Sequence, residues 1–306
     1  MIDFIIITGP TAVGKSDLSE KLALRCNAEI IAADSQTVYR GLTVGTAKPA
    51  LPAQVPYHMI DVCDPDTVFD VSAFLSATEN ALDDIVSRGK HAVVSGGTPM
   101  YINRLVTGFT EAPGSDEVLR VKLQEQWKND GQQLLREELE RVDHASAKRI
   151  HPNDAQRTIR ALEVYHTTGK TLSEWHKATP ESPYSYLYIV LNRKRDILYD
   201  RINSRVDAML EGGWVDEVKE LLKKYTGNEK AFESLGYRTI ISHLNGDLSY
   251  SEAVHCIKRD TRHFARRQLI WFRKVPDAVW YDLDEQSDDV IMDDILGRIQ
   301  TKGGLR

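Results

Sequence analysis

Apolar residues along the chain follow two spacings, which predict strands that alternate with helices. Short apolar runs of strand length lie at residues 3–8, 29–33, 91–98 and 184–191. A helix is expected over residues 15–25, and residues 71–88 place apolar side chains on one helical face. Such alternation predicts an α/β fold with a parallel sheet, whose ligand sites lie at the carboxyl ends of the strands.

The middle of the chain has a different pattern. Residues 116–176 carry helical spacings and no strand-like run, and the apolar run at 184–191 returns the chain to the sheet. We therefore expect a core domain of residues 1–112 and 184–306, interrupted by a mostly helical insertion domain at 113–183. Further helices are expected near 194–211, 213–225 and 249–274, with a last strand at 279–283.

Composition narrows the class of protein. The 306 residues suffice for one large α/β domain or a core with an insertion. Cys26, Cys63 and Cys256 are isolated, which argues against a disulfide framework and favours the reducing cytoplasm. The first apolar run is only strand length, so we expect neither a signal peptide nor a membrane partner. The net charge of −6 does not by itself suggest nucleic acid.

A phosphate-binding loop follows the first predicted strand. The pattern G-x-x-x-x-G-K-[ST] is matched by Gly9, Pro10, Thr11, Ala12, Val13, Gly14, Lys15 and Ser16. In such loops backbone N–H groups converge on phosphate oxygens, the lysine adds charge and the hydroxyl can ligate Mg²⁺. The strand before and the helix after the loop favour this interpretation over a chance match, and predict a bound oligophosphate with Mg²⁺ in a P-loop NTPase-like core.

The carboxylates expected of a phosphoryl-transfer enzyme are scarce. Such enzymes usually have a strand that ends in a metal-binding Asp, but the run at 91–98 ends without any carboxylate. Asp34, after the second strand, could be a metal ligand, a general base or a strand-to-loop cap. Thr98 could contact a substrate or cap the helix that begins at Pro99. Because Gly14, Asp34 and Thr98 each follow an apolar run, we expect them at one edge of the sheet.

The strongest charge feature is a predicted helix at residues 258–274, with seven Lys/Arg and one Asp. One face carries Arg259, Arg262, Arg266 and Arg273. Basic side chains bind phosphate backbones, and aromatic side chains can stack on unpaired bases. For the arginines we favour nucleic acid over a solvated surface. For Phe264 and Trp271, seven residues apart on another face, we favour a place in the hydrophobic core.

Two other pairs of arginines have open interpretations. Arg157 and Arg160 share the face of a helix, where they could bind RNA or form surface ion pairs. Arg201 and Arg205 lie one turn apart and could clamp phosphate. Alternatively they pair with neighbouring aspartates, which is the commoner outcome on a protein surface.

Together these motifs resemble one family, the tRNA dimethylallyltransferases (isopentenyl-tRNA transferases), in their shorter bacterial form. The basic run and the HPNDAQR stretch are the specific parts of the resemblance, whereas the phosphate loop alone is not. In the family's order, the matching stretches are GPTAVGKS, ADSQTVYRGLTVGTAKP, VSGGTPMYINRL, RIHPNDAQRTIRALEVY, RVDAMLEGGWVDEV, ESLGYRTI and ARRQLIWFRK.

The resemblance implies transfer of a dimethylallyl group from dimethylallyl diphosphate to N6 of the adenosine 3′-adjacent to the anticodon of tRNA. The phosphate loop would hold the diphosphate leaving group, Ser16 would ligate Mg²⁺, and Arg205, with Arg201, would clamp the diphosphate. Asp34 would be the general base, and the adenine would have to leave its stack. The catalytic residues implied are Lys15, Asp34, Thr98 and Arg205.

The resemblance also implies a monomeric enzyme that binds the anticodon stem-loop of tRNA. Carried over position by position, the implied tRNA contacts are Ser35, Gln36, Thr37, Val38, Thr98, Arg120, Gln156, Arg157, Arg160, Gly236, Tyr237, Arg238, Arg266, Arg267, Gln268, Trp271 and Arg273.

Three alternatives stay open. A small-molecule kinase would transfer phosphate from ATP, and a related adenylate isopentenyltransferase would modify free AMP. An RNA-binding protein with the loop as a nucleotide switch would form no covalent product. The large helical insertion and the basic helix favour a macromolecular acceptor.

Overall fold

The computed structural model describes residues 1–49, 53–109 and 116–306. Within them the chain forms a six-stranded sheet of order β3-β2-β4-β1-β5-β6, and every neighbouring pair is parallel. The predicted α/β fold with a parallel sheet is confirmed. The strands are β1 (Phe4–Thr8), β2 (Ala28–Ala32), β3 (Tyr57–His58), β4 (His91–Gly96), β5 (Tyr186–Asn192) and β6 (Val279–Asp282).

Helices follow or separate these strands, close to the predicted positions. The predicted helix at 213–225 is shorter, and two helices, near residues 240 and 295, were not expected. The α-helices are α1 (Lys15–Arg25), α2 (Val71–Ser87), α3 (Pro99–Thr107), α4 (Glu117–Gln126), α5 (Gln132–Val142), α6 (His144–Arg149), α7 (Ala155–Thr168), α8 (Leu172–Lys177), α9 (Arg195–Glu211), α10 (Trp214–Leu221), α11 (Tyr237–Leu244), α12 (Tyr250–Phe272) and α13 (Asp288–Thr301).

The central strand β1 is buried along its whole length between β4 and β5. Its alternate residues face two separate hydrophobic cores. Phe4 and Ile6 belong to one core, and Ile5 and Ile7 belong to the other. A parallel sheet covered on both faces needs apolar residues at every position, which is why β1 shows a continuous apolar run rather than alternation.

The chain divides into two compact units. Unit 1 comprises Met1–Val106 and Tyr184–Arg306, and unit 2 comprises Thr107–Pro183. The expected start of the insertion, residue 113, lies outside the described residues. Unit 2 is helical in its described part and packs α4, α5 and α7 around a core of its own, which includes Leu123, Leu135 and Leu162.

Two long helices of unit 1, α9 and α12, pack against each other and carry residues of the site. Buried residues of α9 recur every four positions, at Leu198, Ile202 and Val206. A capping box starts α12, because the Ser249 hydroxyl accepts from Glu252 N while the Glu252 carboxylate accepts from Ser249 N at 2.8 Å. Both helices therefore present one face to the core and the other outward.

Candidate active site at the phosphate loop

Residues 9–14 connect β1 to α1 and require glycine at both ends. Gly9 has φ 151°, and a Cβ there would lie 2.5 Å from the carbonyl oxygen of Leu191 in β5. Gly14 has φ 115° and occupies the N-cap of α1. The loop therefore packs directly on a neighbouring strand and turns sharply into the helix, as a phosphate-binding loop does.

Two arginines hold the loop from the side of β5 and α9. Arg193 Nε donates to the carbonyl of Val13 at 2.9 Å, and Arg201 Nε donates to that of Ala12 at 2.9 Å. Since the carbonyl and amide of one trans peptide point in opposite directions, these bonds turn the following N–H groups away from the arginines. Arg193, which also pairs with Asp284, was missed by sequence reasoning. Its only signal was its place at the carboxyl end of a strand.

Lys15 is the central cation of the loop. Its Nζ donates to the carbonyls of Gly9 (3.1 Å) and Pro10 (2.9 Å). Burial and the nearby Arg205 guanidinium lower the pKa of Lys15 to about 8, although Asp34 acts in the opposite direction. Burial likewise lowers the pKa of Arg205, while Asp34 raises it. Two desolvated cations beside each other form a site suited to an anion.

Two adjoining cavities open at this loop. The larger, of about 680 Å³, is lined by the loop, Asp34, Arg201 and Arg205. The smaller, of about 310 Å³, shares Asp34 and Arg205 but has apolar walls from α9, at Ile202, Val206 and Met209. Arg201 and Arg205 do not form the alternative surface ion pairs in the part of the chain that the structure describes. Asp207 pairs instead with Lys258, at 2.6 Å.

Asp34 and Thr98 come together at the carboxyl edge of the sheet. Asp34 Oδ1 accepts from Gln36 N at 2.9 Å, and Thr98 Oγ1 accepts from Ser35 N at 3.0 Å. Thr98 N donates in turn to the carbonyl of Ala33 at 3.2 Å. Both side chains line the smaller cavity, and their common place at the sheet edge agrees with the strand pattern. The Thr98 hydroxyl thus holds the segment that follows Asp34.

Gln268 has a different environment from the one predicted. It is 2% exposed, and its Oε1 accepts from Thr11 N at 2.9 Å while its Nε2 donates to the carbonyl of Gly97 at 2.6 Å. Both polar groups are therefore used within the protein, and the implied tRNA contact at Gln268 is corrected to an internal link. The same bond occupies the Thr11 N–H, one of the loop amides expected to face phosphate.

Several other implied tRNA contacts are buried. Val38 is in the core, Thr37 is buried, and the Tyr237 hydroxyl donates to Glu217 Oε1 at 2.6 Å. Gly236 has φ 88°, and a Cβ there would lie 2.0 Å from the ring of Trp214. The prediction that the side chains of Val38 and Tyr237 contact RNA directly is corrected, because both side chains fill space inside unit 1.

The basic helix α12 exposes its C-terminal part. Arg266, Arg267 and Arg273 are exposed, and no ion pair forms at them among the residues described. Trp271 is 40% exposed, so its expected place in the core was wrong, and the buried aromatic residue is its neighbour Phe272. Phe264 is half-buried and lines both cavities.

Two arginines in the middle of α12 are less available to RNA than predicted. Arg259 pairs with Asp260 at 2.8 Å, and Arg262 donates to Asn203 Oδ1 at 2.7 Å. The expected basic face is therefore reduced to the second half of the helix.

In unit 2 the implied tRNA residues divide into two kinds. Arg120 and Arg160 lie 3.2 and 3.0 Å from Glu163, whose side chain is fully buried. Gln156 is exposed, and Arg157 is 67% exposed beside Asp154 at 3.5 Å. A buried carboxylate holds the first pair, whereas the second pair faces solvent.

Neither a metal-binding cluster nor a membrane-spanning helix is found in the described parts of the chain. There, no group of three His, Cys, Asp or Glu side chains could hold a metal ion. No helix in these parts is both long enough and apolar enough to cross a membrane.

Ser16 is exposed in the first turn of α1, beside Lys15, and Arg238 is exposed in the first turn of α11.

The sequence model of the IPP transferase family matches residues 37–275 of this chain. The chain belongs to the IPP transferase family. The tRNA dimethylallyltransferase of Thermotoga neapolitana is 46% identical over 282 residues, which is 91% of this chain and 92% of that protein. That of Geobacter sulfurreducens is 42% identical over 292 residues, 94% of each. This IPP transferase family member is thus a transferase, as predicted.

Solved structures of family members agree with the fold. The tRNA isopentenylpyrophosphate transferase of Bacillus halodurans superposes with a TM-score of 0.73 at 36% identity, covering 98% of this chain and 97% of that one. A eukaryotic dimethylallyltransferase that acts on tRNA gives a TM-score of 0.81 at 28% identity, covering 96% and 80%. The P-loop NTPase-like core predicted for this family member is confirmed.

Proposed function

We propose that this chain transfers the dimethylallyl group of dimethylallyl diphosphate to N6 of the adenosine 3′-adjacent to the anticodon in tRNA. Its family and its relatives' activity support this reaction. The observation that carries the proposal is that Lys15, Arg205 and Asp34 line one cavity at the phosphate loop. Two cations suit a leaving diphosphate, and one carboxylate suits a proton acceptor.

The phosphate loop is proposed to stabilise the leaving group. Negative charge grows on the diphosphate as the allylic C–O bond breaks, and Lys15, Arg205 and the free loop amides would bind that charge. Because Lys15 and Arg205 are desolvated, their attraction is stronger than it would be in water. Arg201 lines the same cavity, but its Nε is used by the loop carbonyl.

The exposed Ser16 hydroxyl at the start of α1 fits a ligand of Mg²⁺. Since no group of three His, Cys, Asp or Glu side chains in the described residues could hold a metal, the ion would take most of its oxygen ligands from the diphosphate and water, as Mg²⁺ commonly does. When bound, Mg²⁺ would neutralise charge on the leaving group.

The smaller cavity fits the uncharged part of the donor. Its apolar side chains on α9, Ile202, Val206 and Met209, lie next to Arg205. A five-carbon group attached to a diphosphate held by Arg205 could lie against them and exclude water from the reacting carbon.

Asp34 is proposed as the general base. The adenine N6 would attack the first carbon of the dimethylallyl group, the C–O bond would break, and the N6 proton would pass to Asp34. The bond from Gln36 N to Asp34 Oδ1 orients the carboxylate, and Thr98 holds the adjacent backbone. Because N6 lies at a base edge, the adenine would have to leave its stack to reach this cavity.

The exposed residues fit a tRNA partner, specifically its anticodon stem-loop. Arginines on an exposed face can bind phosphates, and Trp271 can stack on an unpaired base. The exposed candidates are Arg238, Arg266, Arg267, Trp271 and Arg273 in unit 1, and Gln156 and Arg157 in unit 2. We place the enzyme in the cytoplasm, where tRNA is found and where its free cysteines stay reduced.

One assay tests the proposal. The protein is incubated with Mg²⁺, labelled dimethylallyl diphosphate and either unmodified tRNA or AMP. We expect label in tRNA only. Asp34→Asn should lower the rate by about 10³-fold, within the range of general base catalysis, while tRNA binding persists. Asp289→Asn, at an exposed position on α13, is the matched control and should transfer at the normal rate.

Other outcomes would replace the proposal. Label in AMP alone would indicate an adenylate isopentenyltransferase, and phosphate transfer from ATP would indicate a kinase. Binding of tRNA without any label would indicate an RNA-binding switch.

A further inference from the structure

Gln268 is an inward-facing residue on the helix that carries the exposed arginines. Its neighbours Arg266 and Arg267 are exposed, whereas Gln268 is 2% exposed. Burying an amide costs free energy unless both its donor and its acceptor are used. Here both are used, by Thr11 N and by the carbonyl of Gly97. The side chain therefore has a defined place inside the site.

The two partners of Gln268 belong to opposite sides of the site. Thr11 lies in the phosphate loop between β1 and α1. Gly97 lies in the turn between β4 and α3, next to Thr98, which holds the backbone after Asp34. Thr11 and Thr98 both line the smaller cavity. The Gln268 side chain thus connects the phosphate loop, which would hold the diphosphate, to the Thr98 turn, which supports the proposed general base Asp34.

The absence of a side chain at Gly97 leaves room for the Gln268 amide. A Cβ at this position would lie 2.7 Å from Gln268 Nε2 and 3.6 Å from Lys15 Nζ. A distance of 2.7 Å is too short for a methyl group, so any larger residue would displace the Gln268 amide. Gly97 and Gln268 therefore depend on each other, although 171 positions separate them.

We propose that Gln268 is a positioning residue that holds the phosphate loop and the Thr98 turn at the separation needed for transfer. An amide suits this task because it offers an acceptor to one backbone N–H and a donor to one backbone C=O. Leu offers neither, and Glu offers no donor to Gly97. The inference rests on the proposed transfer reaction, and it assigns Gln268 to catalytic geometry instead of RNA contact.

The first test is Gln268→Leu and Gln268→Glu, measured as single-turnover transfer at saturating tRNA and dimethylallyl diphosphate. We expect a fall of about 10²-fold, the usual effect of a small misplacement of reacting groups. The dissociation constant for tRNA should stay within about threefold of the wild type, because Gln268 is only 2% exposed and both ends of its amide are bonded within the protein. Gln300→Leu, on the exposed side of α13, is the control and should react normally.

A second readout does not depend on transfer. Binding of inorganic diphosphate with Mg²⁺ should weaken by about tenfold in Gln268→Leu, since the Thr11 segment of the loop loses its support. Thermal unfolding of each variant separates this effect from global loss of the fold.

Gly97→Ala gives an independent perturbation if Gln268→Leu fails to fold. It should slow transfer by a similar factor, and adding it to Gln268→Ala should cause little further loss, because the displaced amide is already gone. Normal transfer by Gln268→Leu, equal losses in tRNA affinity and rate, or additive effects of Gly97→Ala and Gln268→Ala would overturn the inference. Absence of transfer by the wild type would contradict the proposed function instead.

Discussion

Two groups of arginines in unit 1 are held in different ways. The inner group surrounds the phosphate loop and has fixed surroundings. Arg193 and Arg201 donate to loop carbonyls, and Arg205 is half-buried with its pKa lowered by burial. These side chains have lost much of their freedom before any ligand arrives, so they are suited to a small anion at one defined position.

The outer group lies on the second half of α12. Arg266, Arg267 and Arg273 are exposed and have no ion pair within the described chain. Exposed arginines retain their hydration and mobility, and their attraction to phosphate is long-ranged and screened by salt. An arginine can therefore supply geometry in one place and general affinity in the other, and the difference is made by hydrogen bonds to the loop and by burial.

The largest effect should come from the inner group. Arg205→Lys keeps a positive charge but loses the planar fork of donors, so transfer should fall by 10²- to 10³-fold, roughly the loss on removing one transition-state donor. Single-turnover rates at saturating tRNA measure this. Arg195→Lys, at an exposed position on the same helix, is the control. A normal rate in Arg205→Lys would mean that charge alone is needed and would weaken the distinction between the groups.

Removing part of the outer group should affect binding rather than chemistry. In Arg266→Ala with Arg267→Ala, loss of about 1 kcal/mol per contact predicts about 30-fold weaker tRNA binding. The slope of log affinity against log salt should fall by about 1 for each arginine, and the rate at saturating tRNA should be unchanged. Binding titrations over a series of salt concentrations test this. An unchanged affinity and slope would exclude these arginines from the RNA surface.

The smallest effect concerns the protonation of Lys15. Its lowered pKa of about 8 means that the free enzyme carries this charge below pH 8 and loses it above. If only the charged form binds, affinity for inorganic diphosphate should fall by about tenfold between pH 7 and pH 9. Calorimetry over that range measures the change. Lys15→Met should bind weakly and show only the titration of diphosphate itself, and an identical pH profile in both proteins would exclude Lys15 as the cause.

Local patterns were enough to predict much of the fold. Continuous apolar runs predicted β1, β2, β4 and β5, because each strand is buried on both faces. The two-residue strand β3 was not predicted. It pairs with Ile30 and Ile31 of β2, and a two-residue strand has no periodicity to detect.

The positions of the candidate site residues were only partly predictable, for identifiable reasons. Gly14, Asp34 and Thr98 were placed at one edge of the sheet because strand ends are visible in sequence. The resemblance marked Gln268 and Tyr237 as RNA contacts, but both side chains point inward. Exposure depends on which distant element covers a residue, and a motif does not contain that information.

The amino-acid sequence by itself determined most of the strands and helices, the phosphate loop and the positions of the main charged groups. These depend on spacings within a few residues of one another, which a single stretch of chain contains. Only the tertiary structure decided that Gln268 connects Thr11 to Gly97 and that Arg193 holds Val13. The first link spans 257 positions and the second 180, and bonds between such distant residues exist only after the sheet and helices have packed.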